Sequence, residues 1–93
     1  MASTRALWAG PNPWTPQTEL RFQLEGAAPV RLSVVDASGR LVRTLHNGPM
    51  AAGMHRESWD GLDDSGRSVP SGIYFVKLNG GNEQATAKLV VLR

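Results

Sequence analysis

After Pro16 the apolar positions recur every second residue. Leu20, Phe22 and Leu24 alternate with Arg21, Gln23 and Glu25; Val30, Leu32 and Val34 then alternate with Arg31 and Ser33. Successive side chains of a strand point to opposite faces, so this spacing predicts strands with one buried and one wet face. Glu25-Gly26-Ala27-Ala28-Pro29 reads as the connection between these two strands. Asp36-Ala37-Ser38-Gly39 puts Asp first and Gly fourth, which suits a type I turn, and Arg40 to His46 returns as a strand. Asn47-Gly48-Pro49 is expected to break the chain before a strand from about Gly53 to Trp59. Three glycines and Pro70 between Asp60 and Gly72 exclude a regular strand there. Ile73 to Leu78 and Ala85 to Leu92 are the last two strands, joined through Asn79-Gly80-Gly81-Asn82, with Asn-Gly as the hairpin signal. Nowhere do apolar residues keep helical spacing. With a brief edge strand at Ala6-Leu7-Trp8-Ala9, about seven short strands at regular spacing predict an all-β antiparallel sandwich.

Composition narrows the function classes. A chain of 93 residues holds one domain. Pro11, Pro13 and Pro16 mark residues 1–17 as a linker and Pro-rich lead-in containing the edge strand, with the sandwich over 18–93. There are no cysteines, which excludes disulfides, a thiol nucleophile and a thiolate zinc site. Uncharged apolar runs reach only about five residues, too short for a membrane-spanning helix, so no membrane insertion is expected. The pI of 9.7 rests on a net charge of only +2. Its cations stand singly from Arg5 to Arg93, without the clustering that nucleic acid requires, so no nucleic-acid partner is expected.

Catalytic signals are weak. No Gly-x-Ser-x-Gly elbow is present, and a sandwich this small has little room for a deep cleft, so the chain is not expected to be an enzyme or to carry a cofactor. His46 and His55 are the only histidines and read as half-buried or exposed imidazoles. Asp60, Asp63 and Asp64 crowd one glycine-flanked loop, where calcium ligation competes with turn formation. Their spacing does not match an EF-hand, and turn formation is preferred. Trp8 and Trp14 lie in the Pro-rich segment. They are read either as a sugar-stacking pair or with Trp14 plugging one end of the sandwich.

Several stretches in order carry a resemblance: Pro11-Asn12-Pro13-Trp14-Thr15-Pro16-Gln17-Thr18, Val34-Val35-Asp36-Ala37-Ser38-Gly39-Arg40-Leu41-Val42, Trp59-Asp60-Gly61-Leu62-Asp63-Asp64-Ser65-Gly66-Arg67, Val69-Pro70-Ser71-Gly72-Ile73-Tyr74-Phe75 and Lys88-Leu89-Val90-Val91-Leu92-Arg93. Together they resemble the Ig-like domain of the flagellar hook-capping family (FlgD-type) and the C-terminal sorting domains of type IX secretion. The resemblance implies an Ig-like β-sandwich in which Trp59, Asp60, Gly61, Gly66, Pro70, Gly72 and Tyr74 form the structural motif. Trp59 is expected to fill the space between the sheets, and Tyr74 to bond a turn carbonyl. Asp60 and Gly61 are expected to turn the chain, and Gly72 to let the backbone pass closely before Tyr74. Glu57 departs from the apolar residue the family carries two places before the Trp; it is expected near an edge, where its carboxylate reaches solvent or an Arg.

The resemblance further implies a monomeric, non-catalytic C-terminal accessory module of a larger secreted bacterial protein. Such a module would act in export sorting or cell-surface attachment. Its partners would be the upstream domain of the parent protein and the secretion or surface-anchoring machinery, with Lys88 and Arg93 meeting acidic groups on a receptor. Carbohydrate binding and a structural role in a hook-cap-like assembly are the competing readings.

Overall fold

The computed structural model describes residues 4–10, 18–80 and 83–92. Among them seven strands form: β1 (Thr4–Gly10), β2 (Thr18–Leu24), β3 (Ala28–Asp36), β4 (Leu41–Met50), β5 (Gly53–Trp59), β6 (Gly72–Gly80) and β7 (Glu83–Val91). They make two antiparallel sheets, a three-stranded one in the order β1-β2-β5 and a four-stranded one in the order β4-β3-β6-β7. This is the all-β antiparallel sandwich that the alternation predicts, in the Ig-like form that the resemblance implies. The edge strand expected in the lead-in is β1, paired along β2 and also running close to β7 of the other sheet.

The inner faces hold the core. Leu20, Phe22 and Leu24 of β2 meet Val30, Leu32 and Val34 of β3, Val76 and Leu78 of β6, and Leu89 and Val91 of β7, all almost wholly buried. Trp59 ends β5 in the same cluster with no exposed surface. Two register shifts against β3 leave Val42 and Leu45 of β4 as extra residues, and with Met50 at the strand's end these side chains pack onto the core. Bulges turn an edge strand and re-aim its side chains, and here they bring apolar ones inward.

Three local expectations need correction. Asn47-Gly48-Pro49 does not break the chain; β4 runs through it to Met50, and the break falls at Ala51-Ala52. Pro49 is tolerated because β4 is an edge strand and because its partner is Pro29, so neither residue has an N–H to exchange. Pro29 in turn stands one step before β3 begins to pair with β6 at Val30–Gly80. Ala28 and Pro29 therefore belong to β3, and the connection shrinks to residues 25–27. In the last hairpin Asn79 and Gly80 are strand residues, because Gly80 pairs with Glu83. Gly81 and Asn82 lie outside the described set.

Glu57 stands on β5, the outer strand of its sheet, opposite Leu20 and half-buried. Its place on the edge strand explains how a carboxylate shares the inward parity of Trp59.

Candidate functional site

Strand direction gathers the sequence motifs at one end. There β1, β3, β5 and β7 finish while β2, β4 and β6 begin. The β3–β4 turn and the long β5–β6 loop both leave from this end. The segment 11–17, with Trp14, falls outside the described residues.

Each turn is built by the same five-residue chemistry. Asp36-Ala37-Ser38-Gly39-Arg40 and Asp63-Asp64-Ser65-Gly66-Arg67 differ at one position. Asp36 Oδ1 accepts the Ser38 amide at 3.0 Å, the Ser38 hydroxyl at 2.6 Å and the Arg40 amide at 3.0 Å. Asp63 Oδ1 accepts the Ser65 amide at 2.9 Å, the Ser65 hydroxyl at 2.6 Å and the Arg67 amide at 3.0 Å. The backbone closes both turns alike, Gly39 N–H to Asp36 O at 2.9 Å and Gly66 N–H to Asp63 O at 3.0 Å. Gly39 at φ +89° and Gly66 at φ +87° occupy the left-handed region that a side chain disfavours. Both carboxyls are held below their ordinary range, chiefly by the serine hydroxyl and then by the arginine amide, so each remains a carboxylate and a poor proton donor.

The second turn also reaches across to the other sheet. The Asp64 amide donates to Val42 O at 2.9 Å, and the Thr44 amide donates to Asp64 Oδ1 at 3.1 Å. This occupies the outer edge of β4 where another strand would otherwise pair. Arg43 reaches back, donating to Asp63 O at 3.2 Å and lying 3.8 Å from the Asp60 carboxylate.

Below the loop lies the aromatic pair. Trp59 meets Tyr74 edge to face at 5.8 Å, its indole N–H donates to Leu62 O at 2.9 Å, and the Tyr74 hydroxyl donates to Pro70 O at 2.7 Å. Asp60 Oδ1 accepts the Leu62 amide at 3.0 Å, and Gly61 turns the chain at φ +77°. Gly72 departs from the role expected of it. Its φ is not positive, and a Cβ there would meet Tyr74 Cε1 at an ordinary 3.9 Å, so close backbone passage does not require glycine at this position.

Between the two turns opens a groove of about 470 Å³, lined by Asp36, Arg40, Asp63, Asp64, Ser65 and Tyr74 among others. Its charges are mixed. Among the described residues no three of His, Asp or Glu converge at metal-ligand spacing. The histidines lie on different sheets. His46 Nε2 bonds Gly48 O at 3.1 Å, and His55 Nε2 bonds Ala51 O at 2.7 Å while its ring stacks on Phe22. Of the expected receptor contacts, Lys88 is exposed on β7, whereas Arg93 lies outside the described residues. Trp8 pairs with Arg21 along β1. Two features escaped sequence reasoning: the roles of Arg43 and Asp64 at the β4 edge, and the identity of the two turns. Comparing the chain with itself would have found the second.

This geometry can be set beside known proteins. The model of the FlgD Ig-like domain matches residues 11–84. The chain belongs to the FlgD Ig-like domain family. The basal-body rod modification protein FlgD of Salmonella typhimurium is 40% identical over 53 residues, covering 57% of this chain and 23% of that protein. The FlgD protein of Escherichia coli is 35% identical over 69 residues, covering 73% of this chain and 30% of that protein. The chain thus spans less than a third of the curated relatives it matches. Among solved structures, dimeric latent PorU from Porphyromonas gingivalis superimposes with a TM-score of 0.73 at 19% identity, over 99% of this chain and 9% of PorU. The alkylpurine DNA glycosylase AlkC of Pseudomonas fluorescens, bound to DNA containing an abasic site analog, gives 0.63 at 18% identity, over 99% of this chain and 30% of AlkC. At such identities these two likenesses are of fold alone.

Proposed function

We propose that this FlgD Ig-like domain is a non-catalytic accessory module of a larger secreted protein, acting in export sorting or cell-surface attachment. The observation that carries this reading is the share of length: the relatives it matches by sequence devote 23% and 30% of their chains to the matched region. The chemistry of the motif end agrees with docking. Its carboxylates accept amides of the turns and of β4, and its open groove of mixed charge suits a protein partner. The reading is tested by deleting this domain from the full-length protein in its host and following the remainder by cell fractionation and surface proteolysis. Accumulation inside the cell is the expected result. Surface delivery at the undeleted level would refute the sorting role.

A second reading is favoured by the 35–40% identity to proteins named for basal-body rod modification. On that reading the domain joins a structural assembly, and the full-length protein should co-sediment with purified basal bodies only when the domain is present.

A further inference from the structure

The four-stranded sheet has an outer face that the core does not use. Pairing fixes which residues share it. Leu41, Val35, Phe75 and Lys88 form one row across β4, β3, β6 and β7; Thr44, Ser33, Lys77 and Thr86 form the next; Asn47, Arg31, Asn79 and Gln84 form a third. Beyond the first row Ile73 pairs with Val90, and Leu92 continues the parity of β7. One half of the face is therefore an apolar ledge. Val35 is only 7% exposed yet stands apart from the inner core cluster, because its cover comes from cross-strand neighbours such as Leu41 and Phe75. Leu41, Ile73 and Leu92 are 44%, 42% and 59% exposed, three of the four large apolar side chains that the described residues leave open.

Cations flank the ledge: Lys88 ends its first row, and Lys77 and Arg31 stand in the second and third; all three are exposed, and no acid occupies any described position of the three rows. The described acids stand elsewhere. Asp36, Asp60, Asp63 and Asp64 are at the motif end, Glu57 is on the inner parity of β5, Glu25 is in the β2–β3 connection, Glu19 pairs with Arg21 at 3.0 Å on the other sheet, and Glu83 begins β7 opposite Gly80, at the parity opposite to Gln84, Thr86 and Lys88. A net charge of only +2 conceals this separation.

We infer that this face docks an acidic protein segment with an apolar centre, the ledge taking its apolar side chains and Arg31, Lys77 and Lys88 its carboxylates. The inference names the contact surface of the docking role above and rests on that reading. Charge complementarity selects the occupant. A second copy meeting the same face would set cations against cations. A lipid surface calls for apolar groups that protrude, whereas Val35 is sunk in the sheet and Phe75 and Val90 are half-buried. A flat apolar patch with a polar rim is the form of a protein contact.

The test titrates the 93-residue chain with two synthetic peptides, following amide shifts by NMR. One peptide alternates Glu with Leu and Phe, and its counterpart carries Lys in place of Glu. The acidic peptide is expected to shift the amides of Phe75, Lys77, Lys88 and Val90, to bind more weakly at high salt, and to lose about tenfold in affinity to the doubly substituted K77E/K88E chain. A melting curve for that variant matching the unsubstituted chain separates loss of contact from loss of fold. Equal binding of the Lys peptide, shifts confined to the other sheet, or unchanged affinity in K77E/K88E would overturn the inference. Binding to phosphatidylglycerol vesicles without peptide binding would replace it with a lipid surface, and concentration-dependent dimers with self-association. If peptide binding holds while the deletion leaves surface delivery intact, the sorting role fails and the contact surface stands.

Discussion

The two Asp-x-Ser-Gly-Arg turns are near copies set in different surroundings. The first joins β3 to its neighbour β4, and the carboxylate of Asp36 bonds within the turn itself. The second sits inside the loop from β5 to β6, which links the two sheets, and it is tied to β4 by Asp64 and Arg43. Only the second residue differs, Ala37 in one and Asp64 in the other. Turn geometry is thus a local property of five residues, while the long-range attachment comes from the Asp64 and Arg43 side chains and from where the turn is held.

The largest break in this comparison is expected from Trp59→Ala. The indole fills the space between the sheets and holds Leu62 O beneath the second turn, so its loss should cost about 3–5 kcal/mol in denaturant unfolding. Amide exchange should quicken in residues 60–70 far more than in 36–40. A cost below about 1 kcal/mol would place Trp59 outside the core.

Gly39→Ala and Gly66→Ala probe what the turns share. No atom lies within 4 Å of an added Cβ at either site, so the penalty is the left-handed backbone alone, roughly 1–2 kcal/mol each. Equal losses of melting temperature are expected. A clear inequality would mean that context governs even the turn.

Asp64→Ala against Ala37→Asp probes the difference. Removing Asp64 should cost about 0.5–1.5 kcal/mol and speed exchange of the Thr44 amide, whereas Asp at position 37 should stay within about 0.5 kcal/mol of the original chain. If both substitutions are silent, the bond to β4 does not hold the loop.

The smallest effect is on pH dependence. Asp36 and Asp63 have carboxyls lowered in the fold, so the unfolded chain binds more protons in acid. Their contribution is present above the ordinary carboxylate value of 3.8 and is lost as pH falls through the lower folded values. Melting temperature should therefore drop below about pH 4, and Asp36→Asn with Asp63→Asn should flatten that acid limb. An unchanged slope would remove both turns from the acid transition.

Legibility followed range. The strands around Leu20, Val30 and Val76 were readable because alternation acts between next neighbours, and Asp36 with Gly39 announced a turn within four residues. The site was half readable. Trp59, Asp60 and Tyr74 were singled out, but Arg43 lies on a different strand, and nothing in its neighbourhood points to Leu62 or Asp63. Pro49 misled for the same reason. Alone it breaks a strand; opposite Pro29 on an edge it does not.

By itself, then, the sequence determined the period of the strands, the chemistry of the turns and the family. All of these are written in residues within a few positions of one another or in their linear order. Only the tertiary structure decided that β3 lies between β4 and β6, that the second turn covers the β4 edge, and that Arg31, Lys77 and Lys88 share a face without acids. Those outcomes depend on cross-strand register, which is set by how the two inner faces pack, and packing joins residues that the linear order keeps far apart.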